Sequence, residues 1–372
     1  MLIGVPKEIK SNEYRVGLVP SSVRELVTNG HQVMVERGAG AGIGIDDLAF
    51  ESVGAVMVDT PAEIFQAADM IIKVKEPQSQ ECKMLRAGQV LFTYLHLAPD
   101  PEQARLLRES GCIAIAYETV TNKNGGLPLL APMSEVAGRM AIQAGATSLE
   151  ITQGGSGILL GGVPGVAPAK VVVLGGGVVG TNSVRMAIGM GAHVVVIDKM
   201  IERLYQLDLQ FGSKINTIYS TTDAIEKYVG SADLVIGAVL VPGGSAPKLV
   251  TRQMLSHMRP GSVLVDVSID QGGCFETSRP TTHQHPTYIL DNVVHYCVSN
   301  MPGAVPRTST FALNNATLPF VLALANYGYK QALRQDPHLL HGLNVCQGNL
   351  THKAVASALH QEYTPAEEAL EE

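Results

Sequence analysis

The chain has 372 residues, 46% of them hydrophobic and 16% charged, which suits a globular protein of two domains, each able to bury an ample core. A formal net charge of −7 argues against any general attraction to nucleic acid or acidic membranes. No apolar run approaches the ~18 residues of a membrane span; Lys7, Glu8 and Lys10 interrupt the apolar start too early for a signal peptide; and five widely spaced cysteines without a C-x-x-C point to free thiols in a reducing cytoplasm.

Taken in order, Leu2 to Val5 read as a strand closed by Pro6, followed by a polar segment, 7–17, that carries Arg15. A helix is predicted to start with Pro20 and Ser21 and to stop at Gly30, a residue suited to a C-cap. Strand 32–36 leads to GAGAGIG at 38–44, which imitates a dinucleotide fingerprint. Asp46 and Asp47 would then meet a pyrophosphate at the helix start with two negative charges, so a plain turn is expected instead. Strands 55–58, 70–74, 90–94 and 112–117 alternate with helices near 61–68, 80–87 and 101–110, the rhythm of a parallel sheet wound with crossover helices. The turn NKNGG at 122–126, with Pro128 and Pro132, marks a boundary before an Ala/Gly-rich helix, 133–151, and a glycine-rich run, 154–165.

The stretch 170–198, KVVVLGGGVVGTNSVRMAIGMGAHVVVID, organises the rest. Val171 to Leu174 suit a strand buried on both faces. Gly175, Gly177 and Gly180 supply the G-x-G-x-x-G spacing: a tight turn, close backbone approach to a pyrophosphate, and close packing of helix on sheet. After the helix, the strand from Val194 to Ile197 ends on Asp198, an acid placed to accept hydrogen bonds from the ribose of NAD and to repel the extra phosphate of NADP. A lone glycine fingerprint is weak, but strand, fingerprint, helix, strand and acid in that order make a dinucleotide site.

Beyond it, strands near 215–219, 233–238 and 263–267 continue the alternation. The piece 270–307 reads as loop-rich, a helix over 308–330 is expected to return to the first domain, and the acidic tail 366–372 is expected to fray. The fold class is therefore α/β: two doubly wound, Rossmann-like parallel-sheet domains with a cleft between them, linked by long helices. Their boundaries are expected at 1–128 plus 307–372 for a substrate domain and 129–306 for an NAD-binding domain.

Ligands of open α/β sheets bind beyond the carboxyl ends of the strands, which singles out Lys75 after strand 70–74, His96 after 90–94 and Asp270 after 263–267. Ser220, Leu240 and Asn300 follow other apolar runs. Each has a plainer reading: Lys75 and Arg15 as solvated loop charges, His96 as a packed histidine between Leu95 and Leu97, Asp270 as a turn former before two glycines. Tyr94 and Met133 read as wall. The histidines lack the H-E-x-x-H spacing of a zinc site, and neither a P-loop nor a G-x-S-x-G elbow is present.

At this point IGVPKEIKSNEYRVGLVP, MIIKVKEP, LFTYLHLA, the glycine fingerprint, VDVSIDQGGCFET and VSNMPGAVPRTST together resemble the alanine dehydrogenase family, in order from Leu2 to about Tyr329. The resemblance implies reversible oxidative deamination of L-alanine to pyruvate and ammonia with NAD, and a cytoplasmic homo-hexamer. It implies substrate contacts for Arg15 and Lys75 and an acid–base role for His96 and Asp270. For the cofactor it adds Ser134, Val178, Arg203, Ser220, Val239, Leu240, Val267, Ser268, Ile269 and Asp270, with Val298, Ser299, Asn300 and Met301, to the fingerprint and Asp198. The chemistry wants these types: arginine for a carboxylate, histidine for proton transfers near neutral pH as water adds to an iminium and ammonia leaves. Where some relatives place a Glu and a His as magnesium ligands, this chain has Ala323 and Tyr327, so no metal site is expected.

Two other functions remain at this stage. The soluble NAD-binding alpha subunit of a proton-translocating transhydrogenase has the same fold and fingerprint but no need of Arg15, Lys75 and His96 together. A non-catalytic NAD-sensing module has no need of His96 or Asp270.

Overall fold

A computed structural model of the chain describes residues 1–239 and 245–371. Packing divides the chain into two units, Met1–Met133 with Val305–Glu372, and Ser134–Ala304. The strands in chain order begin with β1 (Leu2–Val5), β2 (Gln32–Glu36), β3 (Val56–Val58), β4 (Met70–Ile72), β5 (Val90–Thr93) and β6 (Ile113–Ala116). The second unit holds β7 (Lys170–Leu174), β8 (His193–Asp198), β9 (Ile215–Tyr219), β10 (Leu234–Gly237), β11 (Val263–Asp266), β12 (Thr287–Leu290) and β13 (Val293–Tyr296). The chain then returns to the first unit for β14 (Leu343–Cys346) and β15 (Asn349–Leu350).

Among the described residues the first unit carries an eight-stranded sheet in the order β15-β14-β6-β5-β4-β1-β2-β3. From β1 the chain winds outward through β2 and β3, then crosses to β4, β5 and β6 on the other side; those six strands run parallel. The second unit's sheet has the order β12-β13-β11-β10-β7-β8-β9 and is parallel apart from β12. Both are doubly wound α/β sheets, and the order reverses between β1 and β4 in one and between β7 and β10 in the other. The apolar runs explain the sheets: β4, β5, β6, β10, β11 and β13 are buried along their whole length, as strands covered on both faces must be.

Local signals set most helix starts. Thr60 accepts from the amide of Glu63 in a capping box, with Pro61 in the first turn; Asp100 caps the helix Pro101–Ser110, whose C-cap Gly111 is left-handed at φ 67°. The Gly38–Gly44 loop is a turn, as expected: Asp46 caps the helix Asp47–Glu51, and Asp47 accepts from the amide of Gly38 at 2.8 Å. The helix Pro306–Tyr327 packs in the first unit, where the Asn314 side-chain oxygen accepts from the Val19 amide at 2.9 Å.

Three local expectations fail. The helix near 80–87 is a single turn, Ser79–Cys82. The loop-rich piece contains the antiparallel hairpin β12–β13, turned by Asp291 and Asn292 at φ 51° and 61°. These are the two left-handed positions of a type I′ turn, and Asp-Asn was the signal for it. Over its described residues, 366–371, the acidic tail is folded: the turn Ala366–Ala369 buries Ala366, Ala369 and Leu370, because its apolar side has a face to cover beside β14.

Candidate active site

In the first unit, Arg15, Lys75 and His96 lie on segments that follow β1, β4 and β5. Since these strands are parallel neighbours, the segments leave the sheet at one edge, beside the reversal of strand order. Arg15 is not the solvated charge of the plainer reading but is 2% exposed. Its Nε and Nη2 donate to the two carboxylate oxygens of Glu13 at 2.7 and 2.6 Å, and Nη1 reaches the Met133 sulfur at 3.0 Å. Burial works against the Glu13 charge, yet the hydrogen bonds and charge of Arg15 outweigh it and hold that carboxyl below its usual range.

Lys75 is half-buried, and burial, with the positive charges of Arg15 and Lys10 nearby, pulls its ammonium pKa below the ordinary lysine value against the pull of Glu76. Its backbone is held from behind. The buried Glu8 carboxylate accepts from the amides of Val74 at 2.6 Å and Lys75 at 3.3 Å, and from the Lys73 ammonium at 2.9 Å. Lys73, the other lysine of KVKEP, is fully buried between Glu8 and Glu81, so of the two lysines just past β4 one is locked into packing and the other is left half-buried.

His96 is not packed. Its side chain is 46% exposed and its ring stacks on Tyr94, 5.8 Å between centroids and 10° between planes. Its φ of 48° lies in the left-handed region that β-carbon-bearing residues seldom enter. Tyr94 is wall, as read: it is 4% exposed, its hydroxyl donates to the Leu129 carbonyl at 2.5 Å, and burial raises its phenol pKa.

In the second unit, the other named residues lie at the carboxyl edge of the parallel strands. Gly175, Gly177, Val178 and Gly180 follow β7, Asp198 ends β8 with Arg203 in the next helix, and Ser220 follows β9. Val239 follows β10, Val267 to Asp270 follow β11, and Val298 to Met301 follow β13. Ser134 stands in the helix Ala131–Ser148, and Leu240 lies outside the described residues.

The fingerprint glycines have three different reasons. Gly175 is left-handed at φ 96°, and a β-carbon there would stand 2.7 Å from the Ala238 carbonyl oxygen. At Gly180 a β-carbon would stand 1.8 Å from the Gly175 carbonyl oxygen, so helix and turn could not close. At Gly177 it would meet nothing within 4 Å, and that residue is exposed at the N-terminus of the helix Val178–Gly189. Open space and unpaired amides at a helix start fit a pyrophosphate. Asp198 accepts from the amides of Gly176 at 2.7 Å and Met200 at 2.8 Å, tying the acid to the turn, while Arg203 Nε donates to the Gly176 carbonyl at 2.5 Å.

Asp270 is exposed, on a loop organised by a residue the sequence did not single out. Asp266 is fully buried, and its carboxylate accepts from the amides of Ser268 at 3.0 Å and Cys274 at 2.9 Å and from the Ser278 hydroxyl at 2.5 Å. Burial nonetheless raises its pKa. Ser268 in turn donates to the Val239 carbonyl at 2.7 Å, joining the loops after β10 and β11. Glu8 and Glu13 were missed because an acid in a polar run looks solvated until the fold shows what it meets; Asp266 and Glu118 close the apolar runs of β11 and β6, where sequence alone does not separate a buried acceptor from an exposed strand end. Among the described residues no three His, Cys, Asp or Glu side chains gather to hold a metal ion, and no helix is long and apolar enough to cross a membrane.

Residues 4–137 match the N-terminal domain of alanine dehydrogenase/PNT, and residues 141–353 match its C-terminal domain. A curated alanine dehydrogenase from Halomonas elongata is 62% identical over 366 residues, 98% of this chain and 99% of its own length. Among solved structures, an L-alanine dehydrogenase superposes with a TM-score of 0.94 at 54% identity, covering 97% of this chain and 99% of its own. A transhydrogenase from Sinorhizobium meliloti shares the fold at a TM-score of 0.81 and 24% identity, over 95% of this chain and 100% of its own.

Proposed function

The chain belongs to the alanine dehydrogenase/PNT family, and from that premise we propose that it catalyses the reversible, NAD-dependent oxidative deamination of L-alanine to pyruvate and ammonia. The observation that carries this reading is the gathering of Arg15, Lys75 and His96 at one sheet edge of the first unit, while the second carries a dinucleotide fingerprint with its acid. A transhydrogenase subunit, which passes hydride between two nucleotides, has no use for a carboxylate anchor. A sensing module has no use for an exposed imidazole held in a left-handed turn.

When bound, NAD supplies the hydride acceptor. Gly175, Gly177, Gly180 and the helix start hold its pyrophosphate, and Asp198 takes the adenosine ribose; Ser134, Val178, Arg203, Ser220, Val239, Leu240, Val267 to Asp270 and Val298 to Met301 complete the cofactor site. Arg15 anchors the alanine carboxylate, its guanidinium oriented by Glu13. Lys75 polarises the substrate oxygen in the direction from pyruvate, a task its burial favours by making the ammonium readier to share its proton. His96 receives a proton as water adds to the iminium and returns one as ammonia leaves, while Asp270 stabilises the cationic iminium. Assembly as a cytoplasmic homo-hexamer belongs to the same proposal. Exposed apolar side chains such as Ile151 and Leu159, 73% and 65% exposed, supply surface for subunit contact.

The deciding measurement is NADH absorbance with purified protein, NAD⁺ or NADP⁺, and a panel of L-amino acids. An alanine-dependent signal with NAD⁺ is expected, far stronger than with NADP⁺, and Asp198→Ala should narrow that preference because a 2′-phosphate no longer meets a carboxylate. No signal with any amino acid, beside intact NAD binding, would favour the sensing module.

Substrate anchoring gives a separate expectation. Arg15→Lys keeps the charge but cannot form the two-pronged bond to Glu13 or to a carboxylate, so alanine binding should weaken by ~1–3 kcal/mol. NAD affinity, measured by titration calorimetry, should be unchanged; an equal loss for both ligands would make Arg15 structural.

A further inference from the structure

A histidine in the left-handed region needs something to hold it there, and an exposed ring stacked on one tyrosine does not suffice. The holding group is Glu118. Its carboxylate accepts from the His96 amide at 2.6 Å and from the Leu95 amide at 3.2 Å through each oxygen, and its side chain is only 15% exposed. Glu118 belongs to the short 3-10 turn Tyr117–Thr119 directly after β6. Because β6 pairs with β5 in parallel, Thr93 opposite Ala116, the ladder itself delivers the carboxylate to the turn after β5. The imidazole Nδ1 stands 3.9 Å from Oε1. Two other ionisable groups face the same carboxylate. Tyr94 lies on the His96 side, its phenol kept protonated by burial, with Glu118 adding to that effect. His352 comes from the C-terminal segment, its imidazole disfavoured as a cation by burial and partly favoured by Glu118.

Glycine would enter this backbone conformation without strain. The chain instead places a proton-transferring side chain there and offsets the conformational cost with a carboxylate. Such over-determined strain accumulates where function requires one orientation. We infer that Glu118 is a positioning residue for His96: by accepting from two successive amides it locks the turn that presents the imidazole at the sheet edge, and it serves turnover only through that histidine. The inference rests on the reading of His96 as the acid–base group.

A double-mutant cycle on the full-length enzyme tests it, with alanine turnover, KM and NAD affinity measured for each protein. Glu118→Ala removes both acceptors, whereas Glu118→Gln removes the charge and keeps one carbonyl to accept from the His96 amide. In the otherwise parental enzyme, Glu118→Ala should lower kcat on the order of 10²-fold, as misplacement of a reacting group does. Glu118→Gln should retain more of it, and NAD affinity should be unchanged in both. In a His96→Ala background the same substitutions should cost nothing further, because the group they position is gone. Parental turnover in both Glu118 variants, or an equal loss in the two backgrounds, would overturn the inference while leaving His96 in its role. Parental turnover in His96→Ala alone would overturn that role, and the inference with it. Should Glu118→Ala fail to fold, the Gln variant in the two backgrounds gives the same comparison.

Discussion

His96→Ala is expected to lower alanine turnover by ~10²–10⁴-fold, the usual range for loss of a positioned acid–base group, with NAD binding and melting temperature close to parental. The second half of that expectation comes from the structure. A packed histidine would leave a cavity, but the His96 side chain is 46% exposed, with its ring stacked on Tyr94 and its Nδ1 3.9 Å from the Glu118 carboxylate. Alanine also meets the left-handed backbone, φ 48°, with a β-carbon as histidine does, and the Glu118 carboxylate still accepts from its amide. Steady-state rates beside a thermal melt separate the two readings. Loss of activity together with a lowered melting temperature would mean a structural histidine. Parental stability with parental turnover would leave Asp270 as the sole acid–base candidate, and the mechanism would have to be withdrawn.

The fingerprint glycines should fail in opposite ways. At Gly180 a β-carbon would stand 1.8 Å from the Gly175 carbonyl oxygen, a backbone atom that cannot move aside alone. Gly180→Ala is therefore expected to destabilise the protein by ~1–3 kcal/mol through overpacking, and to weaken NAD binding because the turn itself opens. At Gly177 the added methyl meets no protein atom within 4 Å, and φ of −63° is open to alanine. Gly177→Ala should leave the melting temperature unchanged but place a methyl where a pyrophosphate approaches, with a loss of NAD affinity of at least ~10-fold for ~1.4 kcal/mol of lost contact. Calorimetric titration with NAD and thermal melts of both variants provide the check. Parental NAD affinity in Gly177→Ala would place the pyrophosphate elsewhere.

Much of this was legible in the sequence because the signals are local. A β-branched run buried on both faces, three glycines at fixed spacing and an acid at the end of the next strand each act over fewer than about 30 residues, the size of one βαβ unit. The alternation of strands and helices then determined the α/β class, and the rule that ligands gather beyond strand carboxyl ends pointed to Lys75, His96 and Asp270. Two hairpins were legible in principle and went unread. Asp291–Asn292 turns β12 into β13, and Gln347–Gly348, at φ 49° and 92°, turns β14 into β15. Both are two-residue turns with paired left-handed positions, flanked by short apolar runs, TYIL and VVHY in one and LNVC in the other, that fit strands.

What only the tertiary structure decided is which charges are held and by what. Glu8 meets the backbone of Val74 and Lys75 because β1 lies beside β4, and Glu118 meets Leu95 and His96 because β6 lies beside β5. Neither pairing follows from composition or periodicity, since strand order in a doubly wound sheet is a property of the whole chain. The same holds for Arg15, which in sequence is one more charge in a polar loop and in the fold is a buried cation clasped by Glu13. The sequence by itself determined the residue types that can do the chemistry. The fold decided their orientation, because a carboxylate accepts only from amides that the sheet has brought within hydrogen-bonding reach of it.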